Sequence, residues 1–334
     1  MTTIYDVAAR AGVSPSSVSA VINGKTKQVS AATRRRVLES IEALGYRPNR
    51  VARQLITGRF DTIAVCHERG VRKIFSIEHE FIAGIGDSAG DDGFSVLITP
   101  AVPNVDFSHE IGSLSSRGVD GAVIIGPIPL KKQVTSLIED CGVPVVCMDS
   151  YPAFSKTSTV DRDNVASMKP EIQNLISQGH SRIIYVGPPP VYQCFADRMQ
   201  AFCEVMQDND LPVDENAVRI VDCERASSLF MEILSRDVRP TAIVCADVPH
   251  GIAAWESAKS MGMRIPEDIS LLAGEALPLN HPSSREVKQI TTPRYEIGKT
   301  AVDVLKKIIA GELTPPVTIR LASETILPFP SPTI

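Results

Sequence analysis

The sequence predicts an all-α head of three short helices followed by a two-lobed α/β core of parallel sheets with helices on both faces. Three observations carry this expectation. Helix start and stop signals crowd the first 46 residues. From Asp61 onward, short apolar runs bounded by Gly, Pro or Asp alternate with helical stretches, and that alternation is completed twice. At 334 residues and 43% hydrophobic, the chain has enough apolar side chain for more than one buried core.

The head follows helix grammar closely. Thr3 with Asp6 three residues later is a capping pattern, and Ile4, Val7, Ala8 and Ala11 then share one helical face. Gly12 supplies the left-handed backbone that ends this helix. Ser14 caps a second helix with Pro15 in its first position, where the missing N–H costs nothing. Val18, Val21 and Ile22 make its inward stripe, leaving Ser16, Ser17, Ser19 and Ala20 outward. A third helix runs from Ser30 through Arg34-Arg35-Arg36 to Leu44, with Val37, Ile41 and Leu44 facing the core and Gly45 as its stop. Two helices joined through Ala-Gly-Val-Ser with a third behind them make a helix-turn-helix domain. A plain three-helix bundle would have no use for so short a second helix whose exposed face carries only small polar groups.

Charge is divided unevenly along the chain. Ten Lys/Arg stand against three acids in residues 1–59, a net of +7, so the remainder carries -12 of the overall -5. A basic head on an acidic body is what contact with phosphates at one end produces.

Ile4-Tyr5-Asp6-Val7-Ala8, Ala11-Gly12-Val13-Ser14, Val18-Ser19 and Val21-Ile22-Asn23 resemble the LacI/GalR family of bacterial transcription regulators. So does Gly45-Tyr46-Arg47-Pro48-Asn49-Arg50-Val51-Ala52-Arg53-Gln54-Leu55, and the match is dense over roughly 55 residues. The resemblance implies operator DNA as partner and assigns DNA contacts to Thr3, Tyr5, Ser14, Ser16, Ser17, Ser19, Ala20, Asn23, Asn49, Arg50, Ala52 and Leu55. It makes 1–46 the DNA-binding domain and 47–59 a hinge helix and linker. Pro48, Asn49 and Gly58 suit such a hinge, with a break, a cap and a stop. About eight residues lie between those caps, too few for a stable isolated helix, so two copies are expected to order one another on DNA. Leu55 is then the wedge into a minor-groove step, with Ala52 beside it. Ala20 departs from the arginine common at its position and cannot make a bidentate guanine contact, and Pro15 replaces larger reading residues. Base readout is left to Ser16, Ser17 and DNA shape.

In the core, Thr62–Cys66, Phe94–Ile98, Gly121–Ile125 and Val143–Met148 read as strands, with helices over Phe81–Asp91 and Lys131–Asp140. A second set follows at Arg182–Val186, Ala217–Val221, Thr241–Cys245 and Ile269–Leu272. Ligands of such sheets sit at the carboxyl ends of strands, here in the cleft between two lobes. The resemblance continues more loosely through Arg117–Gly121, Gly179–Ile183, Arg239–Ala242, Pro266–Ser270 and Ile290–Arg294, and implies a periplasmic-binding-protein-like core over 60–334. Crossings near 160, 290 and 320 divide it into lobe 1 (about 60–160 plus 291–319) and lobe 2 (about 161–290 plus 320–334).

By the same resemblance Asp149, Arg198, Asp247, Glu275 and Phe75 are effector contacts: Asp149 ends a strand, Arg198 reaches from a helix start, and Phe75 lies in the loop after the first strand. Carboxylates and an arginine around a cleft suit vicinal hydroxyls, and a ring packs on an apolar sugar face. Each position also admits a blander role, as a lobe-bridging ion pair or a loop cap. Ala246 stands where the family has Asn, and Glu275 where it has Asp. The effector is therefore expected to be a sugar or related polar metabolite, with a nucleoside as alternative. A further alternative is a regulator with a degenerate cleft, switched by a partner protein.

The remaining features narrow the class. Seven cysteines without a CxxC pair read as reduced core residues, and the six histidines show no metal spacing. Gly84–Gly90 fits neither a dinucleotide fingerprint nor a phosphate loop, and no nucleophile stands next to a base. No enzyme activity, metal or cofactor is expected. Nor is a membrane span, since no run approaches ~18 apolar residues, or an export signal. A cytoplasmic, nucleoid-associated homodimer on a pseudo-palindromic site fits these features. Leu327–Pro332 cannot be a helix, which argues against the tetramerising C-terminal coil of some relatives. Repression is the expected outcome of binding.

Overall fold

The computed structural model describes residues 2–22, 29–46, 58–68, 75–101, 111–112, 114–126, 132–148, 155–278 and 280–326. The chain divides into two units, Met1–Phe60 and Asp61–Ile334.

In the first unit, α1 (Ile4–Ala11) opens with a capping box. Thr3 N donates to Asp6 Oδ2 at 2.7 Å, and Asp6 N donates to Thr3 Oγ1 at 3.4 Å. Gly12 closes this helix at φ 61°, in the left-handed region that glycine tolerates. α2 (Pro15–Ile22) is capped by Ser14, whose Oγ accepts from Ser17 N at 3.2 Å. α3 (Ala31–Leu44) starts on Ser30 and stops at Gly45. Val7, Ala8, Ala11, Val18 and Val37 form the buried centre of the head, with Val21, Ile22, Ile41 and Leu44 packed on it. Asn23 and the hinge segment Asn49–Thr57, with Arg50, Ala52 and Leu55, lie outside the described residues.

The second unit holds two six-stranded sheets. The first has the order β11-β5-β4-β3-β1-β2, from β1 (Thr62–Glu68), β2 (Ser95–Ala101), β3 (Gly121–Ile125), β4 (Val145–Met148), β5 (Ser158–Arg162) and β11 (Thr318–Leu321), and every adjacent pair is parallel. The second runs β12-β10-β9-β8-β6-β7, from β6 (Ile183–Gly187), β7 (Val218–Ile220), β8 (Ala242–Cys245), β9 (Ser270–Ala273), β10 (Lys288–Ile290) and β12 (Thr325–Ile326). It is parallel except where β12 pairs antiparallel with β10.

Side chains alternate across each sheet with the period of a strand, so each sheet owns two cores. Ile63, Val65, Val123 and Val146 point to α4 (Phe75–Asp91) and α10 (Arg294–Ile309), while Ala64, Cys66, Ala122 and Cys147 join Ile138 of α5 (Lys132–Glu139) on the other side. In the second sheet Ile184, Val186 and Ile243 face α8 (Cys223–Leu234) and α9 (Val248–Ser260). Ile183, Tyr185 and Val244 face α6 (Asn164–Ser177) and α7 (Gln193–Asp208). Five cysteines are buried, but Cys223, the first residue of α8, is exposed rather than a core residue.

The chain passes between the sheets three times: after Arg162, between Ile290 and Arg294, and between Leu321 and Thr325. Four strands were not anticipated. β5 is the instructive one, because Ser-Thr-Val-Asp-Arg lacks an apolar run and is nonetheless largely buried. Its polar groups are satisfied laterally: Val317 N donates to Ser158 Oγ at 3.0 Å, and the Thr159 and Thr318 hydroxyls meet at 3.4 Å. β10, β11 and β12 are two to four residues long and offer too little pattern to detect.

Within the Gly84–Gly90 run, Gly84 is a packing device. A Cβ on Gly84 would sit 2.0 Å from Tyr295 O, and one on Gly298 would sit 2.3 Å from Phe81 O. α4 and α10 therefore cross backbone to backbone, and only glycine fits at the crossing.

Candidate functional site

The head presents the helix-turn-helix surface expected of it. Tyr5 is 70% exposed, and Thr3, Ser14 and Ser16 are also exposed, while Ser17, Ser19 and Ala20 are half-buried. Ser14 Oγ lies 2.7 Å from Ser16 Oγ and 3.0 Å from Ser17 Oγ. The hydroxyls of Ser14, Ser16 and Ser17 thus form one small network around the helix cap. Arg34, Arg35 and Arg36 are exposed on α3. Arg35 stands 3.8 Å from Glu39, both side chains well exposed, a pairing worth little in water.

In the core, the carboxyl ends of β6, β8 and β9 converge with two of the three crossings, and buried charges collect there. Glu275, two residues past β9, takes Arg198 Nη2 at 2.7 Å on Oε2 and Arg294 Nη2 at 2.8 Å on Oε1. Thr292 donates its hydroxyl to Oε1 at 2.6 Å, and Arg162 Nη1 stands 3.4 Å from Oε2. Arg162 and Arg294 belong to the first lobe and Arg198 to the second, so one carboxylate ties both lobes together.

The guanidiniums are fixed by further acceptors. Asn164 Oδ1 accepts from Arg162 Nε at 3.0 Å and Arg198 Nε at 2.9 Å. Arg198 Nη1 donates to Ala246 O at 2.6 Å, and Arg162 Nη2 donates to Gly274 O at 3.0 Å. Burial alone would raise the Glu275 carboxyl, but Arg198, Arg162, Arg294 and the Thr292 hydroxyl together pull it down to about 2.

Asp247 follows β8 and caps α9. Its Oδ1 accepts from His250 N at 3.0 Å and lies 2.6 Å from His250 Nδ1. Ala246, the position without the family's asparagine, has its side chain fully buried among Ala242, Val244 and Leu272 and reaches the site through its carbonyl.

Arg198 stands in the second turn of α7 rather than at its start, with its guanidinium carbon 5.8 Å from the centre of the Phe195 ring. Tyr192 meets Phe195 edge-on at 6.0 Å. Phe75 opens α4 instead of lying in a loop, and its side chain, like Asp149, is outside the described residues. Asn164, Phe195 and Tyr192 were not singled out from the sequence. The polar run Asp161-Arg162-Asp163-Asn164, which straddles the end of β5, was the available signal for Asn164, and the aromatics Tyr192 and Phe195 before Arg198 were the signal for the other two. A cavity of about 320 Å³ opens beside Pro189, Val221 and Asp222, but none of Arg198, Asp247 or Glu275 lines it.

Comparison with known proteins agrees with both units. Residues 3–49 match the family model of bacterial regulatory proteins, lacI family, and residues 172–327 match that of the periplasmic binding protein-like domain. The HTH-type transcriptional regulator CelR of Thermobifida fusca is 30% identical over 336 residues, which cover 97% of this chain and 96% of that protein. A solved complex of the regulator CelR with cellobiose superposes with a TM-score of 0.71 at 26% identity, over 98% of this chain and 99% of that one. The Lac repressor dimer bound to operator and the anti-inducer ONPF superposes at 0.79 over 98% of each chain, and at 23% identity it speaks to the fold.

Proposed function

The chain belongs to the lacI family of bacterial regulatory proteins, and from that premise we propose a repressor whose hold on its operator is set by a small polar effector between the core lobes. It is a sequence-specific DNA-binding transcriptional regulator with a helix-turn-helix head and a two-lobed core. The observation that carries the effector reading is the Glu275 node. Buried arginines from both lobes meet on one carboxylate at the strand ends, so a ligand that competes for any of these groups changes the lobe arrangement.

A sugar is the favoured class. Arg198, Asp247 and Glu275 offer donors and acceptors suited to vicinal hydroxyls, and Phe195 and Tyr192 add ring faces beside them. The solved CelR relative holds cellobiose, which makes that disaccharide the first probe. Asp149 and Phe75 complete the proposed contacts. A regulator with a degenerate cleft, switched by a partner protein, is the alternative motivated by Ala246 in place of asparagine and Glu275 in place of aspartate. The protein works in the cytoplasm on the nucleoid, as a homodimer with one recognition helix per half-site and Leu55 of each hinge in the minor groove. No catalytic step is assigned to it.

Thermal-shift screening with sugars and nucleosides tests the effector reading. A sugar that raises the melting temperature supports it, a nucleoside alone redirects it to that class, and no response from either contradicts it.

A further inference from the structure

His250 is fully buried, and both of its ring nitrogens face acceptors. Nε2 lies 2.9 Å from Val221 O, a peptide carbonyl that can only accept, so this nitrogen carries a proton. Nδ1 lies 2.6 Å from Asp247 Oδ1, which already accepts the backbone N–H of His250 at 3.0 Å. An oxygen that receives a peptide N–H is a poor place for a carboxyl proton, so the short contact is donated from Nδ1. Two donating nitrogens make the ring an imidazolium inside the protein.

The charged groups around it match. Asp247 faces the ring from the start of α9, and Asp222, following β7, adds a second negative charge. Cys245 of β8 and Tyr185 of β6 interact with Asp247 from the sheet side, and burial keeps both the thiol and the phenol protonated. Exposed Cys223 lies next to Asp222, where burial and the charges of Glu224 and Asp247 likewise raise its thiol. Burial works against the imidazolium, but the hydrogen bond and charge of Asp247, the Val221 carbonyl and Asp222 outweigh it and hold the ring above its usual 6.5.

We infer that His250 is a positioning residue of the effector cleft. Its imidazolium fixes Asp247 and clamps the Val221–Cys223 loop to the β8–α9 turn, leaving Asp247 Oδ2 for a ligand hydroxyl. Among the described residues, no hydrogen bond is taken by that oxygen, and the Asp247 side chain remains 18% exposed. The assignment to effector binding rests on the cleft reading above. The charge state and the clamp do not.

Ring-¹⁵N and carboxyl-¹³C spectra of the full-length protein decide the matter, with His250→Gln and Asp247→Asn used for assignment. At pH 7.5 both ring nitrogens of His250 are expected to carry protons. As pH rises, the His250 ring, the Asp247 carboxyl carbon and the amides of Val221–Cys223 are expected to shift with one shared midpoint. A ring with one bare nitrogen at pH 7.5, or an Asp247 signal that ignores that midpoint, overturns the inference. Cellobiose titration supplies the second arm: H250Q is expected to bind it about tenfold more weakly than wild type, the scale of one lost charge-assisted hydrogen bond. Equal binding by H250Q and wild type overturns the positioning role. Failure of wild type itself to bind cellobiose counts against the favoured effector, while the spectra still decide His250.

Discussion

Arg198 Nη2 donates to Glu275 Oε2 at 2.7 Å, between side chains that are 5% and 13% exposed. With Arg162 and Arg294 on the same carboxylate, this contact is the centre of a buried node joining the lobes. Glu275→Gln keeps the shape and removes the charge, leaving three buried guanidiniums without their shared anion. Equilibrium urea unfolding is expected to show a loss of about 3–5 kcal/mol. A loss below about 1 kcal/mol, the size of an exposed pair, would mean the node is solvated.

The same carboxylate sets an acid limit. Its value in the folded state, about 2, lies below the usual 4.5, so folding favours the ionised form. That stabilisation is complete above 4.5 and disappears as pH falls toward 2. Urea midpoints for wild type should therefore drop between pH 5 and pH 3 more steeply than those of Glu275→Gln. Parallel curves would show that other carboxylates dominate acid unfolding.

His250 acts in the opposite direction. Its folded-state value lies above 6.5, so its contribution is complete below 6.5 and declines as pH rises through the raised value. Wild type should lose stability over that upward range, whereas His250→Gln should show a flatter profile from a lower starting point. A wild-type profile as flat as that of the variant would contradict the buried imidazolium.

Two glycines of α4 separate packing from propensity. Gly84→Ala would place a methyl 2.0 Å from Tyr295 O, a backbone atom that cannot swing aside. It should destabilise the core by at least the ~1–3 kcal/mol typical of overpacking. At Gly86 a Cβ meets nothing within 4 Å, so Gly86→Ala should stabilise by roughly 0.5–1 kcal/mol through helix propensity alone. Similar effects at both positions would refute the close crossing of α4 and α10.

Much of this was legible in the sequence, for reasons that differ by element. Thr3 with Asp6, Gly12, Ser14 with Pro15, and Gly45 are local signals, and local signals survive folding. Each sits where its chemistry places it. β1, β3, β4, β6, β8 and β9 were legible because burial on both faces demands uninterrupted apolar runs. The edge strands β2 and β7 were legible from their β-branched and apolar composition, although Leu97, Ile98 and Ile220 are exposed. β5 was not, since its polar side chains are satisfied by residues 159 positions away. Arg198, Asp247 and Glu275 were found through resemblance, but their partners were not. Asn164, Thr292 and Arg294 reach them across separations of 17 to 34 residues, beyond any local spacing rule. His250, by contrast, stands three residues after Asp247, the spacing of a helix cap to its third residue. The blander roles weighed for two of these residues are present in the structure: Glu275 bridges the lobes, and Asp247 caps a helix. An effector would have to work through groups that already have structural partners.

The most direct test of the whole account is selection of duplex DNA from a random pool by the full-length protein, followed by binding of the selected duplex with and without the sugar that shifts its melting temperature. The account predicts an enriched pseudo-palindrome whose affinity changes by roughly 5–150-fold with the sugar, the usual range of allosteric coupling. Enrichment of no sequence, or an operator affinity indifferent to every ligand the core binds, would contradict it.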